Sequence, residues 1–187
     1  SQLINVYLNI KYKMKKKKKS LTFLSFIIKA LVCSLIKYPY FNASLFDKKT
    51  VILKKYYNIG IVSATKTGLT TPVIRNANKK NILELNNELL LHKKKIIENK
   101  FTPNMMNNCS FSISNLGFYT NNFFTPIVKY PEVAMLGLSK YTMKPIIQKS
   151  KEIKLITILP VSVSYDHRVI DGLDCINFIK CFKKKIK

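Results

Sequence analysis

Leu159-Pro160-Val161-Ser162-Val163-Ser164-Tyr165-Asp166-His167-Arg168-Val169-Ile170-Asp171-Gly172 is the stretch around which the chain is organised. Apolar and small polar residues alternate up to Ser164, as on a half-buried strand. At the strand's end stand a histidine, an aspartate four residues on and a glycine, the composition of a built loop rather than a plain turn. The chain has two histidines, and among its 33 basic residues only Arg75 and Arg168 are arginines, so one of each sits here. His-x-x-x-Asp-Gly is short enough to arise by chance. Its meaning depends on what the rest of the chain supplies.

Downstream, Gly172 to Lys187 predicts a last helix with Leu173, Ile176, Ile179 and Phe182 facing inward. Its basic tail suits the negative end of a helix dipole. Upstream, Lys144-Pro145 and the Lys149 to Lys154 stretch predict a hairpin that returns into one strand from Ile156 to Ser164. Phe123 to Val128 and Glu132 to Ser139 read as strands, and strict alternation in Ser110 to Ser114 predicts another, followed by a turn at Asn115-Leu116-Gly117. Asn81 to Glu98 predicts a long helix with Ile82, Leu85, Leu89 and Ile96 on one face. His92, beside the Lys93 to Lys95 run, reads as a surface histidine.

Further back, Arg75 to Asn78 is a loop, and Leu69 to Ile74 is a strand whose Pro72 points to an edge or a bulge. Asn58 to Thr65 reads as a buried strand closed by Lys66-Thr67-Gly68. Thr50 to Tyr57 is a further strand, and Asn42-Ala43-Ser44 a turn. Met14 to Ser34 looks like a secretory signal, but Lys29 interrupts the apolar run and thirteen residues precede Met14. Leu21 to Ile36 is also too short and too charged to span a membrane. Apolar residues at 24, 27, 28, 31, 32 and 35 instead predict a core helix ending before Tyr38-Pro39. Residues 1–19 are expected to form a basic N-terminal arm or a truncated edge, and 20–187 one domain. The element order predicts an α/β (α+β) two-layer fold, a mixed β-sheet with helices packed on it.

Composition narrows the function classes. A hydrophobic content of 47% fits a globular chain, while the net charge of +24 raises nucleic acid or an anionic membrane as partners. Phosphate and base readout favours the guanidinium fork, and two arginines are too few for it. Abundant Lys, Asn, Ile, Phe and Tyr match the bias of an A/T-rich genome, so neither a specific nucleic-acid partner nor a membrane is expected. Cys33, Cys109, Cys175 and Cys181 show neither a Cys-x-x-Cys pair nor zinc-ligand spacing. No metal site is expected, and a reducing compartment fits.

Six segments in order then carry a resemblance. They are Lys55 to Ile61, Gly68 to Ala77, Phe111 to Gly117 (Phe-Ser-Ile-Ser-Asn-Leu-Gly), Phe124 to Val128, Pro131 to Gly137 and Asp166 to Gly172. Together they resemble the catalytic domain of the dihydrolipoamide acyltransferases of 2-oxo acid dehydrogenase complexes, over roughly residues 20 to 182. Leu138-Ser139-Lys140, Met143-Lys144-Pro145 and Leu159 to Ser162 are similar to the bacterial pyruvate-complex branch.

The resemblance implies a chloramphenicol-acetyltransferase-like fold and acyl transfer between dihydrolipoamide and coenzyme A. Coenzyme A or acetyl-CoA and lipoamide enter as substrates. His167 is implied as the base that takes the thiol proton, Ser114 as the oxyanion hydroxyl and Asp171 as the residue that fixes the loop through a salt bridge or hydrogen bond. Gly172 is expected to allow a close turn. It also implies a homo-oligomer, a trimer building a larger core, with His167 and Ser114 of one site on different chains. Decarboxylase and dihydrolipoamide dehydrogenase components are the implied partners. No lipoyl domain or peripheral-subunit-binding domain is visible, so the lipoyl group is expected in trans or upstream. The turn after Ser114, Asn115-Leu116-Gly117-Phe118-Tyr119-Thr120, departs from the family, which usually places a second glycine there.

Two alternatives stay open: a succinyl or branched-chain acyltransferase of a sister complex, and a catalytically degenerate oligomeric scaffold. The bias of the sequence suits a bacterial cytoplasm, that of a reduced-genome symbiont included, with a plastid or mitochondrion as the alternative.

Overall fold

A computed structural model describes residues 2–16, 20–47, 49–65, 68–120, 122–147 and 152–186. The end of the lysine run at Lys17 to Lys19, the Lys66-Thr67 closure, the hairpin tip at Lys149 and the tail residue Lys187 lie outside them.

The elements are α1 (Gln2–Lys16), α2 (Phe23–Lys37), β1 (Ala43–Phe46), β2 (Thr50–Leu53), β3 (Ile59–Thr65), β4 (Gly68–Thr70), β5 (Val73–Ile74), α3 (Ile82–Ile97), β6 (Phe111–Asn115), β7 (Ala134–Leu138), β8 (Thr142–Ile147), β9 (Ile153–Ile158), β10 (Val161–Tyr165) and α4 (Gly172–Lys185). The central sheet runs β10-β7-β6-β3-β4, with β5 also pairing β3. β3, β6 and β7 are parallel, and β10 is antiparallel to β7. The β1–β2 and β8–β9 hairpins form separate two-stranded sheets.

Side chains alternate across this sheet, so its two faces can be read from the register. Ile59, Ile61, Phe111, Ile113, Ala134, Leu136 and Leu138 join a single buried core with Ile28 and Leu31 of α2, Leu85 of α3 and Phe178 of α4. Phe41, from the turn after α2, stacks on Phe178 with ring centroids 4.1 Å apart. The opposite face carries mostly glycine and serine, in the rows Gly60–Ser112–Met135–Ser164 and Val62–Ser114–Gly137–Ser162, with Met135 and Val62 as the exceptions.

Local chemistry explains the helices. Asn81 caps α3 in a reciprocal capping box with Glu84. Buried Asn86 accepts from the Thr22 backbone N–H and hydroxyl and donates to the Ser20 carbonyl, tying α3 to the start of α2. Lys29, the charge that broke the apolar run, sends its ammonium to the Lys80 carbonyl 2.6 Å away. The N-terminal arm is helical and docks through Tyr7, edge-on to Phe23 and Phe26.

Several expectations are corrected. Residues 42–44 are not a turn: Asn42 ends a 3-10 turn, and Ala43 opens β1, which pairs with β2. β2 stops at Leu53, short of Tyr57. Pro72 splits the strand expected at 69–74 into β4 and β5, though its carbonyl still accepts from the Ile61 N–H. Phe123 to Val128 is not a strand: it pairs with no neighbour among the described residues, and Phe124 and Pro126 pack against Gly137. Leu159-Pro160 likewise splits the strand expected over 156–164 into β9 and β10. On α4, Leu173 and Ile176 are exposed, and Cys175, Phe178, Cys181 and Phe182 are the buried positions. Phe182 lies in the core and Ile179 packs against it as expected, so the inward face differs from the expected one only at Leu173 and Ile176. His92 is no surface residue either: it is buried, with Nδ1 lacking a hydrogen-bond partner among the described residues.

Candidate active site

The loop after β10 is tied down by its own residues. The Asp166 N–H donates to the Val133 carbonyl at 2.8 Å, continuing the β7–β10 ladder by one residue, and the Asp166 carbonyl accepts from Val169 and Ile170. Arg168 donates through Nε and Nη2 to both Asp166 carboxylate oxygens, at 2.9 and 2.6 Å. The guanidinium hydrogen bond holds the Asp166 carboxyl below its ordinary range. Ile170 then plugs into the core. His167, between these anchors, is exposed, its ring 5.8 Å from that of Tyr165.

Asp171 accepts from the Asp174 N–H at 2.8 Å as the N-cap of α4. Its carboxylate thus satisfies a free N–H in the first turn of α4. Gly172 opens α4 with a Cβ position that would meet only the Tyr165 hydroxyl at 3.9 Å, and its φ is not positive. The close turn assigned to it needs no glycine.

Ser114 is half-buried near the C-terminal end of β6, between Val62 and Gly137. The following turn is fixed by the Leu116 N–H to the Leu138 carbonyl and by Gly117 N–H to Asn115 Oδ1, with Phe118 exposed at its tip. A Cβ on Gly137 would come within 3.0 Å of Phe124 and 3.1 Å of Pro126, so this glycine lets the 123–128 segment lie against the sheet beside Ser114.

The register decides how the two residues relate. Ser114 is level with Gly137 and Ser162, whereas His167 follows Tyr165, which is level with Ala134. Tyr165 is already about 10 Å along and two strand spacings, about 10 Å, across from the Ser114 row. His167 and Ser114 therefore stand at opposite ends of the parallel strands, and within one chain they do not meet.

A second cluster escaped the sequence reading. Ser112, two residues before Ser114 on the same face, donates to Glu132 Oε1 at 2.8 Å. Cys109 Sγ lies 3.5 Å from the Ser112 hydroxyl. Glu132 is buried, and its Oε2 has no hydrogen-bond partner among the described residues, as is true of Ser44 Oγ on the facing residue of an isolated bridge. Burial raises the Glu132 carboxyl above its ordinary value, with the Ser112 hydrogen bond opposing. Burial, reinforced by Glu132, pushes the Cys109 thiol up to about 12. Burial lowers Lys54, with Glu132 opposing. Glu132, Cys109, Lys54 and Ser44 line a cleft of about 550 Å³ beside the β1–β2 hairpin. The available signal was a lone carboxylate heading an otherwise apolar strand.

Among the described residues no group of three or more His, Cys, Asp or Glu could hold a metal ion. No helix among them is long and apolar enough to cross a membrane.

This fold and loop define a class. The chain belongs to the 2-oxoacid dehydrogenases acyltransferase (catalytic domain) family, whose model matches residues 1–187. It is 43% identical over 182 residues to the dihydrolipoyllysine-residue acetyltransferase component of the pyruvate dehydrogenase complex of Buchnera aphidicola subsp. Schizaphis graminum, covering 94% of this chain and 45% of that protein. The chain thus spans less than half the length of that relative. The cubic core of a pyruvate dehydrogenase multienzyme complex superposes with a TM-score of 0.92 at 38% identity, covering 99% of this chain and 76% of the other. The dihydrolipoamide acetyltransferase of Azotobacter vinelandii gives the same values, in a study of a serine, a histidine and an asparagine in its catalytic mechanism. Chloramphenicol acetyltransferase, at 15% identity and a TM-score of 0.54 over 94% of this chain and 82% of that one, shares the fold alone.

Proposed function

We propose that this chain is the catalytic core of an acyltransferase that moves an acetyl group between dihydrolipoamide and coenzyme A within a pyruvate dehydrogenase complex. The carrying observation is that a chain matched throughout by the acyltransferase catalytic domain keeps a histidine loop and a serine strand at opposite ends of its sheet. The serine and histidine studied in the Azotobacter enzyme have counterparts by type in Ser114 and His167. Four residues past the histidine, the asparagine studied there is replaced here by Asp171.

His167 takes the proton of the attacking thiol, which at neutral pH is only a few per cent thiolate. The thiolate adds to the thioester carbonyl, and the Ser114 hydroxyl donates to the resulting oxyanion. Collapse breaks the original C–S bond and expels the second thiolate, which takes the proton from the imidazolium. Such a base contributes on the order of 10²–10⁴ in rate and such a donor about 10²–10³. Asp171, at the end of the loop, caps α4 and takes no part in the proton transfer.

Because the two residues do not meet in one chain, the complete site pairs His167 of one copy with Ser114 of the next. Exposed apolar surfaces support assembly. Phe118 and Ile127, 92% and 88% exposed, flank the Ser114 end, and Met143, Ile147, Ile153 and Leu155 are exposed on the β8–β9 hairpin. A homo-oligomer built from trimers covers them, as a larger core to which decarboxylase and dihydrolipoamide dehydrogenase components attach. The acyl donor is a lipoyl group on another segment or chain. The bacterial relatives support a cytoplasmic setting. The test is transfer from acetyl-CoA to dihydrolipoamide by wild type and His167→Ala. Loss of on the order of 10²–10⁴ in kcat without loss of assembly is expected; unchanged transfer sinks the assignment.

A further inference from the structure

The acyltransferase reading leaves one buried acid unused. We infer that Glu132 is a positioning residue that braces the Ser114 half and the His167 half of the site at once, an inference that rests on that reading.

Its side chain acts on the serine strand. Ser112 and Ser114 are two apart on β6 and point to the same face, so the Ser112 hydrogen bond to Glu132 Oε1 fixes the pitch of the strand segment that presents Ser114. Nothing bulkier could serve there: Ser112 is fully buried, and a Cβ on its neighbour Gly60 would already lie 3.0 Å from its hydroxyl. The backbone of the same segment acts on the histidine loop. Val133, the next residue, accepts the Asp166 N–H, and Asp166 in turn holds Arg168 across His167. Glu132 is itself pinned from outside by the bridge to Ser44.

Burial of a carboxylate with one unpartnered oxygen is costly and needs an explanation beyond packing. A leucine-sized apolar residue would fill this position without that cost. A group that locks two half-sites into one geometry supplies the reason. Since the half-sites of one copy serve two different composite sites, each Glu132 sets the geometry of two neighbouring sites. Catalytic geometry is sensitive at this scale, a displacement of about 1 Å costing on the order of 10²-fold in rate.

The experiment is a double-substitution cycle on the assembled protein, with acetyl-CoA and dihydrolipoamide as probes. Glu132→Ala is expected to lower kcat by about 10- to 100-fold per assembled site with KM for both substrates changed less than about threefold. Glu132→Gln, which keeps an acceptor for Ser112, is expected to stay within about threefold of wild type. The deciding readout is coupling: Ser114→Ala should cost about 10²–10³ in the wild-type background but less than about 10-fold beside Glu132→Ala. A merely structural residue would leave the two effects multiplicative, and that result overturns the inference. Where Glu132→Ala does not assemble, Ser112→Ala cuts the same bond from the strand side and carries the same cycle. An inactive wild-type oligomer overturns the acyltransferase reading and this inference with it, whereas an active wild type with multiplicative effects overturns this inference alone.

Discussion

The two faces of the central sheet serve opposite ends with the same strands. Toward the helices stand Ile59, Ile61, Phe111, Ile113 and Leu136, all buried in one core. On the other face stand Gly60, Ser112, Ser114, Gly137, Ser162 and Ser164, too small to build a core. The first face supplies stability through buried apolar area. The second gives up that area to let the 123–128 segment and a buried carboxylate approach. A strand that alternates large apolar with small polar residues therefore records a division of labour, not merely a half-exposed sheet.

Substitutions on the two faces should separate stability from catalysis. The largest effect falls on the helix side, where Phe111→Ala should destabilise the fold by about 3–5 kcal/mol, read as a lower denaturation midpoint. Next, Ser114→Ala should lower kcat by about 10²–10³ while leaving that midpoint nearly unchanged, because its side chain is half-exposed. An equal loss of stability would erase the contrast between the faces. Smaller again, Gly60→Ala would place a Cβ 2.7 Å from Cys109 Sγ and from Thr71 Cγ2. It should cost about 1–3 kcal/mol, and Cys109→Ala should recover part of that.

The smallest effect depends on pH and lies away from both faces. Burial holds His92 below the ordinary imidazole value of 6.5; Glu88 opposes this, and Lys95 and Lys80 add to it. The neutral ring is favoured in the folded state, so its contribution is complete above pH 6.5 and is lost as pH falls through the lowered folded value. Between pH 7.5 and 5.5 the urea midpoint of wild type should fall more than that of His92→Gln. Equal falls would show that His92 titrates alike in folded and unfolded chains. Glu132 has the opposite sign: raised above 4.5 by burial, it favours the fold less as pH rises through its folded value.

Much of this was legible in the sequence because local chemistry and tertiary packing agree. Asn81 and Glu84 announce the start of α3, and the 24–35 periodicity survives Lys29 because its ammonium escapes to the Lys80 carbonyl. His167 and Ser114 stood out through ordered motifs, and their residue types fit the chemistry. Failures came where partners are distant in sequence. Leu173 and Ile176 looked like core because an apolar stripe does not say which of two adjacent faces meets the sheet. His92 looked exposed beside three lysines, yet the helix turns it inward. Glu132 and Ser112 are twenty residues apart, and no local pattern links them.

The central claim is that one copy holds two half-sites and no whole one. It is tested by mixing copies carrying His167→Ala with copies carrying Ser114→Ala, co-refolded so that oligomers contain both. If each site pairs His167 of one copy with Ser114 of another, random assembly restores roughly a quarter of the wild-type sites. Activity no greater than the sum of the two parents would contradict the account.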